Sequence, residues 1–279
     1  MITRSALLAA LIAVAVLLTA APVQAADDPE RPSRRTFASG LDNPRGLAFG
    51  PDGRLYVAEA GRGGRGPCRP GPDGRLRCFG RTGAIAEIGA GGQRRIRRNL
   101  PSMAFPQGGG AVGPSDVAVG PDGTLTHVMG EARVLIPYRR GLLILDERGL
   151  RRVGPRGRTW TVARIADATA VALGPDGAYY VAGRDRIWRA EPGRTPQVYA
   201  SGLPGVVDLA WSGEGVLHVV QSSGALRRLT RTGSLQVTTG LTAPGGLAIR
   251  GRYAYVTVCG VCQGTGAVVR IPLRAQPET

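Results

Sequence analysis

The stretch Gly46-Leu47-Ala48-Phe49-Gly50-Pro51-Asp52-Gly53-Arg54-Leu55-Tyr56-Val57 decides the fold. An apolar strand runs into a turn, and a second strand rich in branched and aromatic residues leaves it. Pro pre-sets one turn dihedral and Gly accepts the positive one, so Gly-Pro-Asp-Gly marks a hairpin. The pattern returns at Asp116 to Val128, Ala170 to Val181, Asp208 to Val219 and Gly246 to Val256. The tetrapeptide itself stands at Gly50, Gly120 and Gly174, whereas the fourth unit keeps Glu214-Gly215 and the fifth only Gly251.

Two more strand-like runs follow each hairpin. After the fourth they are Ala225 to Leu229 and Ser234 to Thr238, separated by Arg231-Thr232-Gly233. Four strands per unit, repeating roughly every 40 residues in the later units, describe the blade of a propeller. The earlier units are spaced more widely and hold insertions or a degenerate blade. Closure points the same way: Thr36-Phe37-Ala38-Ser39-Gly40-Leu41 resembles the outer strand Val198-Tyr199-Ala200-Ser201-Gly202-Leu203, and the last unit, ending at Ala267 to Ile271, lacks such a strand. Pairing the two would close the ring and cover both edges. The expected fold is therefore an all-β propeller of four-stranded blades, ring-closed by the N-terminal strand. Five blades are favoured, with a sixth if Arg133 to Ile165 hides a degenerate one.

Upstream, Arg4, the apolar run from Ala6 to Leu18 and the small residues around Val23-Gln24-Ala25 read as a cleavable signal peptide over 1–25. The run is too short for a membrane span, which needs roughly 20 apolar residues. Residues 26–35 then form a flexible linker, 36–274 the propeller and 275–279 a tail. The expected location is secreted or extracytoplasmic, wall-associated or periplasmic, with no span after cleavage. The 43 Gly and 21 Pro are spread along the chain, as short strands joined by tight turns require.

All 36 basic residues are Arg, and the formal net charge is +16. A GC-rich genome explains Arg in place of Lys; attraction to a polyanion such as a wall polymer is the sharper reading. Nucleic acid is not favoured, because aromatic residues are only 5% of the chain and few are available for stacking.

Five further motifs resemble the ScyD/ScyE family: Leu41-Asp42-Asn43-Pro44-Arg45-Gly46-Leu47, Ala58-Glu59-Ala60-Gly61-Arg62-Gly63-Gly64, Cys78-Phe79-Gly80-Arg81-Thr82-Gly83, Gly113-Pro114-Ser115-Asp116-Val117 and Cys259-Gly260-Val261-Cys262. The resemblance implies a secreted propeller of NHL or gluconolactonase-like architecture, and it implies no chemistry. This chain looks like a shortened member, missing most of a unit between those that begin at Asp116 and Ala170.

In lactonase-type propellers a divalent cation sits in the central channel, held by oxygens from the strand ends that line it. Aligning the five units brings Glu59, Asp116, Asp208 and Gln221 to such positions, a set that suits Ca²⁺. Gly46, Ala170 and Gly246 occupy the equivalent first positions, and Met129, Gly183 and Val258 the second, so the shell is incomplete. No cofactor is expected, with Ca²⁺ as the alternative. His127 and His218 lie within second strands between apolar neighbours and read as ordinary strand residues. No Gly-x-Ser-x-Gly elbow, phosphate loop or His-Glu-x-x-His motif is present.

In an exported chain, oxidation is the default state of cysteine. Cys68 and Cys78 bracket a Gly/Pro-rich loop, and Cys259 and Cys262 form a C-x-x-C after the last second strand. Local pairing within each cluster is expected, with cross-pairing or a Cys₄ metal site left open. No helical pattern follows Cys262, which argues against a redox role. Two functions remain. One is a non-catalytic binding scaffold whose partner face carries Arg45, Arg62, Arg65, Arg69 and Arg81. Its partner would be an extracytoplasmic protein or polyanionic wall component, and the chain is expected to be a monomer. The other is a Ca²⁺-assisted lactone or ester hydrolase. A quinone-dependent sugar dehydrogenase would need a histidine facing the channel, and neither is well placed.

Overall fold

The computed structural model describes residues 34–71, 73–138 and 141–273; the expected leader and most of the linker and tail lie outside them. Within this span every regular element is a strand except one 3₁₀ turn at Pro155–Gly157. The hairpins form where the tetrapeptides stand. In the first, Gly53 N donates to Gly50 O at 3.0 Å, and Asp52 Oδ1 accepts the Arg54 amide at 3.1 Å. Asp122 and Asp176 repeat that amide bond to Thr124 and Ala178 at 2.9 and 3.2 Å. The positive φ of Gly53, Gly123 and Gly177, at 82°, 81° and 78°, is the reason this position is glycine.

Five full blades result. Blade one holds Pro44–Phe49, Leu55–Glu59, Leu76–Gly89 and Gly92–Ala104, with the short strand Cys68–Pro70 also paired to Leu76–Gly89. Blade two holds Arg133–Tyr138, Gly141–Asp146, Gly149–Val153 and Thr159–Ala163. Blade three runs from Ala168–Leu173 to Gln197–Ala200, and blade four from Val206–Trp211 to Gly233–Thr238. Blade five combines Gly246–Arg250, Tyr253–Val258 and Gly266–Pro272 with the N-terminal strand Arg35–Leu41.

The unit at Asp116 departs from the four-strand expectation. Pro114–Val119 and Leu125–Met129 form a two-stranded sheet between blades one and two, and Arg133 to Ala163 make a complete blade of their own. Only three residues separate Met129 from Arg133, too few for two further strands, so the chain returns at once to a new inner strand. The inner strands lie side by side in chain order, and the last, Gly246–Arg250, meets the first, Pro44–Phe49.

Closure takes the expected form. Thr36 pairs with Val269, Ala38 with Val268 and Leu41 with Gly266 in an antiparallel ladder. Phe37 packs edge-on against Tyr255 with ring centroids 5.0 Å apart. Ala38 and Leu41 join Leu47, Leu55, Val57, Tyr255 and Val268 in the core between the last and first blades. Similar apolar layers lie between other blades, such as that of Tyr180, Ile187, Leu209 and Val219 between blades three and four.

Candidate functional site

Four inner strands share one irregularity near their start. The register slips between Pro44 and Leu47, Pro114 and Asp116, Ala168 and Ala170, and Val206 and Asp208. A bulge of this kind re-aims a side chain and frees an amide. Asp116 Oδ1 accepts the Val117 amide and Asp208 Oδ1 the Leu209 amide, each at 2.9 Å. Asp208 Oδ2 also accepts Leu247 N from the neighbouring inner strand at 2.7 Å. Burial pushes the Asp208 carboxyl above the usual range, against the pull of Arg133 and these two amides. Asp116 leans on Gly46, whose Cα approaches the carboxylate so closely that a methyl group there would overlap it. Asp208 thus ties two inner strands together by hydrogen bonds, and Asp116 packs against the first inner strand at Gly46.

Glu59 is elsewhere engaged. It is fully buried, and Arg95 from the outer strand of blade one grips it with two bonds, Nε to Oε1 at 2.8 Å and Nη2 to Oε2 at 2.6 Å. Oε2 also accepts the Asp42 amide at 2.8 Å. Arg95 Nη2 reaches Asp42 Oδ2 at 3.3 Å, and Asp42 Oδ1 accepts Gly264 N from blade five at 2.8 Å. The cluster is a latch between blade one and the closing blade. Gln221 donates to Pro204 O at 2.8 Å. Glu59, Asp116, Asp208 and Gln221 therefore do not assemble into one shell, and among the described residues no three acidic, histidine or cysteine side chains do.

The histidines are separate strand residues. His218 is buried, with Nδ1 3.1 Å from Val216 O, and His127 Nδ1 lies 3.0 Å from Arg97 Nη1. Burial lowers the pKa of both.

Cys68 is bonded to Cys78 and Cys259 to Cys262, the local pairing rather than the crossed one. Such bonds persist in oxidising compartments. No helix among the described residues is long and apolar enough to cross a membrane. Both disulfide loops are joined through the segment after Ala104. Arg75 and Arg77 from the first loop lie over the Phe105 ring at 4.2 and 4.6 Å, and Gly110 N donates to Val261 O in the second at 3.2 Å.

Asn43 completes the assembly. Fully buried, it donates Nδ2 to Gly61 O at 2.7 Å and Gly108 O at 3.0 Å, while its amide bonds Cys262 O at 2.8 Å. Its φ of 50° is one asparagine tolerates and alanine resists. Asn43→Ala is expected to lower stability by about 3 kcal/mol, from two buried carbonyls left without donors and from backbone strain. An unchanged urea midpoint would contradict this.

Arg62, Arg65, Arg69 and Arg81 are exposed on and beside these loops, and Arg45 stands apart, half-buried at the start of its inner strand. Asn43, Arg95 and Arg133 were not singled out from sequence. The motif running from Leu41 to Leu47 was the available signal for the first; nothing local marks the other two.

Solved structures with similar folds include regucalcin from Agrobacterium tumefaciens strain C58, described as calcium-binding. It is 14% identical, with a TM-score of 0.54 over 87% of this chain and 97% of its own. A gluconolactonase from Xanthomonas campestris is 15% identical, with a TM-score of 0.45 over 83% of this chain and 72% of its own. Virginiamycin B lyase from Staphylococcus aureus is 11% identical, with a TM-score of 0.48 over 87% and 100%. No protein-family model and no curated protein matches the chain. The protein is a β-propeller with gluconolactonase-like and regucalcin-like structural neighbours, a statement of fold.

Proposed function

We propose that this protein is a secreted, non-catalytic binding propeller of ScyD/ScyE type, holding an extracytoplasmic protein or a polyanionic wall component on its disulfide-bearing loop face. The composition of that face carries the reading. Phe79 opposes Met103 and Met103 opposes Val112 across adjacent strands, so the three side chains share one side. Phe79, Val112 and Val261 are exposed, with Arg62, Arg65, Arg69 and Arg81 around them. Aromatic and arginine side chains on a rigid support are what protein interfaces concentrate. Disulfides and the Asn43 bonds hold the loops in place before a partner arrives, which reduces the ordering cost of binding.

Calcium-assisted lactone hydrolysis is the second reading, favoured by the calcium-binding regucalcin among the structural neighbours. The partners of Glu59, Asp116 and Asp208 weigh against it, because a hard cation needs several oxygens converging on one point. Titration with Ca²⁺ followed by calorimetry, and lactone assays with Ca²⁺, Mn²⁺ or Zn²⁺, separate the two. The expected result is no saturable Ca²⁺ binding and no turnover, with Asp116→Asn and Asp208→Asn leaving export and partner capture nearly intact. Metal-dependent lactonase activity lost in either variant would overturn the binding reading.

A further inference from the structure

Two arginines at the start of inner strands reach the same end of the ring, since Arg133 bonds Gly245 O and Gly245 lies against the Arg45 backbone, where an added methyl would stand 3.2 Å from the Arg45 Cα. Arg45 comes from Pro44–Phe49, and Arg133 opens Arg133–Tyr138. Arg45 makes one hydrogen bond, Nη2 to Ala111 O at 2.9 Å. Arg133 makes two long ones from Nη1, to Ser115 O at 3.3 Å and to Gly245 O at 3.4 Å. Neither has a carboxylate oxygen within 4.0 Å among the described residues. Arg95 shows the contrast, since its guanidinium is gripped by Glu59.

The acids nearby have other partners or stand farther off. Asp208 holds two backbone amides, and Asp116 holds the Val117 amide among its contacts. Glu131 acts on Arg45 from beyond ion-pair distance. Burial, and then the like charge of Arg133, lower the Arg45 pKa. The backbone beneath each arginine is anchored: Thr257 Oγ1 donates to Arg45 O, and Ser115 Oγ to Ala132 O, both at 2.7 Å. Both arginines are partly exposed, and among the described residues none of the buried side-chain atoms left without a partner belongs to either.

We propose that the channel mouth is a binding site for a small oxyanion, carboxylate or phosphate, taken between Arg45 and Arg133. The planar guanidinium fork matches such groups with paired, charge-assisted bonds. The assignment rests on the protein being a binder, and it names the chemistry of one ligand. The two readings fail separately, because lactone turnover would overturn the first and leave the anion titration standing.

The test is calorimetric titration of the whole secreted protein with gluconate and, separately, with inorganic phosphate. Saturable one-to-one binding of at least one is expected; gluconate alone would indicate a carboxylate ligand, phosphate alone a phosphorylated one. Arg45→Gln and Arg133→Gln are each expected to weaken it by about tenfold or more, and Arg65→Gln on the loop face to leave it unchanged. Arg45→Lys keeps the charge, guards against misfolding and is expected to bind more weakly for want of the fork. Without anion, Arg45→Gln should melt no lower than the parent, since it removes one of two repelling charges; a purely structural arginine would show the opposite. Absence of saturable binding for both anions, or binding retained in both Gln variants, would overturn the proposal.

Discussion

Deletion of residues 36 to 41 is expected to convert the closed ring into an aggregating chain. The strand supplies the ladder to Gly266–Pro272 and places Ala38 and Leu41 in the core between the last and first blades. Burial of Leu41 alone contributes about 2–5 kcal/mol, set against a typical total of about 5–15 kcal/mol. Its loss comes together with that of the backbone ladder and the Phe37–Tyr255 contact. The uncovered edge then offers a row of unpaired amides and carbonyls to another copy. Size-exclusion chromatography and thermal unfolding followed by circular dichroism check this. A monomeric variant with an unchanged transition would remove the closure from the account of stability.

Arg95→Met is expected to be the most damaging single substitution in the blade-one latch. It leaves Glu59 fully buried with the Asp42 amide as its remaining donor. Breaking a buried pair by removing one partner costs about 3–5 kcal/mol, and the lower end applies here because a third of the Arg95 side chain remains in water. The double variant Glu59→Gln with Arg95→Met removes the stranded charge and should recover much of the loss. Urea unfolding of the three variants reads this directly. If the double variant is as unstable as the sum of both single changes, the latch is not a coupled ion pair.

The repeat, its hairpins and the closing strand were legible in the sequence because each rests on residues within one turn or on a side-chain pattern of period two. Gly-Pro-Asp-Gly specifies its own geometry, and Asp52, Asp122 and Asp176 each bond an amide two residues away. The disulfides follow the same rule, since both link cysteines close in sequence. Position alone also brought out Asp116, Asp208 and Glu59, by aligning equivalent points of the blades.

What those side chains face was decided only by the tertiary structure. The bulge at the start of their inner strands gives Asp116 and Asp208 an amide to hold, and whether a carboxylate meets an amide or an ion depends on that local slip in register. Glu59 meets Arg95, 36 residues away. Arg133 reaches Gly245 beside the Arg45 backbone because non-adjacent strands converge on one channel, and no spacing along the chain encodes that approach. The two-stranded sheet at Asp116 belongs to the same class, since the hairpin pattern there is complete and only the short passage from Met129 to Arg133 leaves it without outer strands. Local chemistry determined the elements and their order; the ring, by bringing distant strands together around one channel, determined which side chains each charge meets.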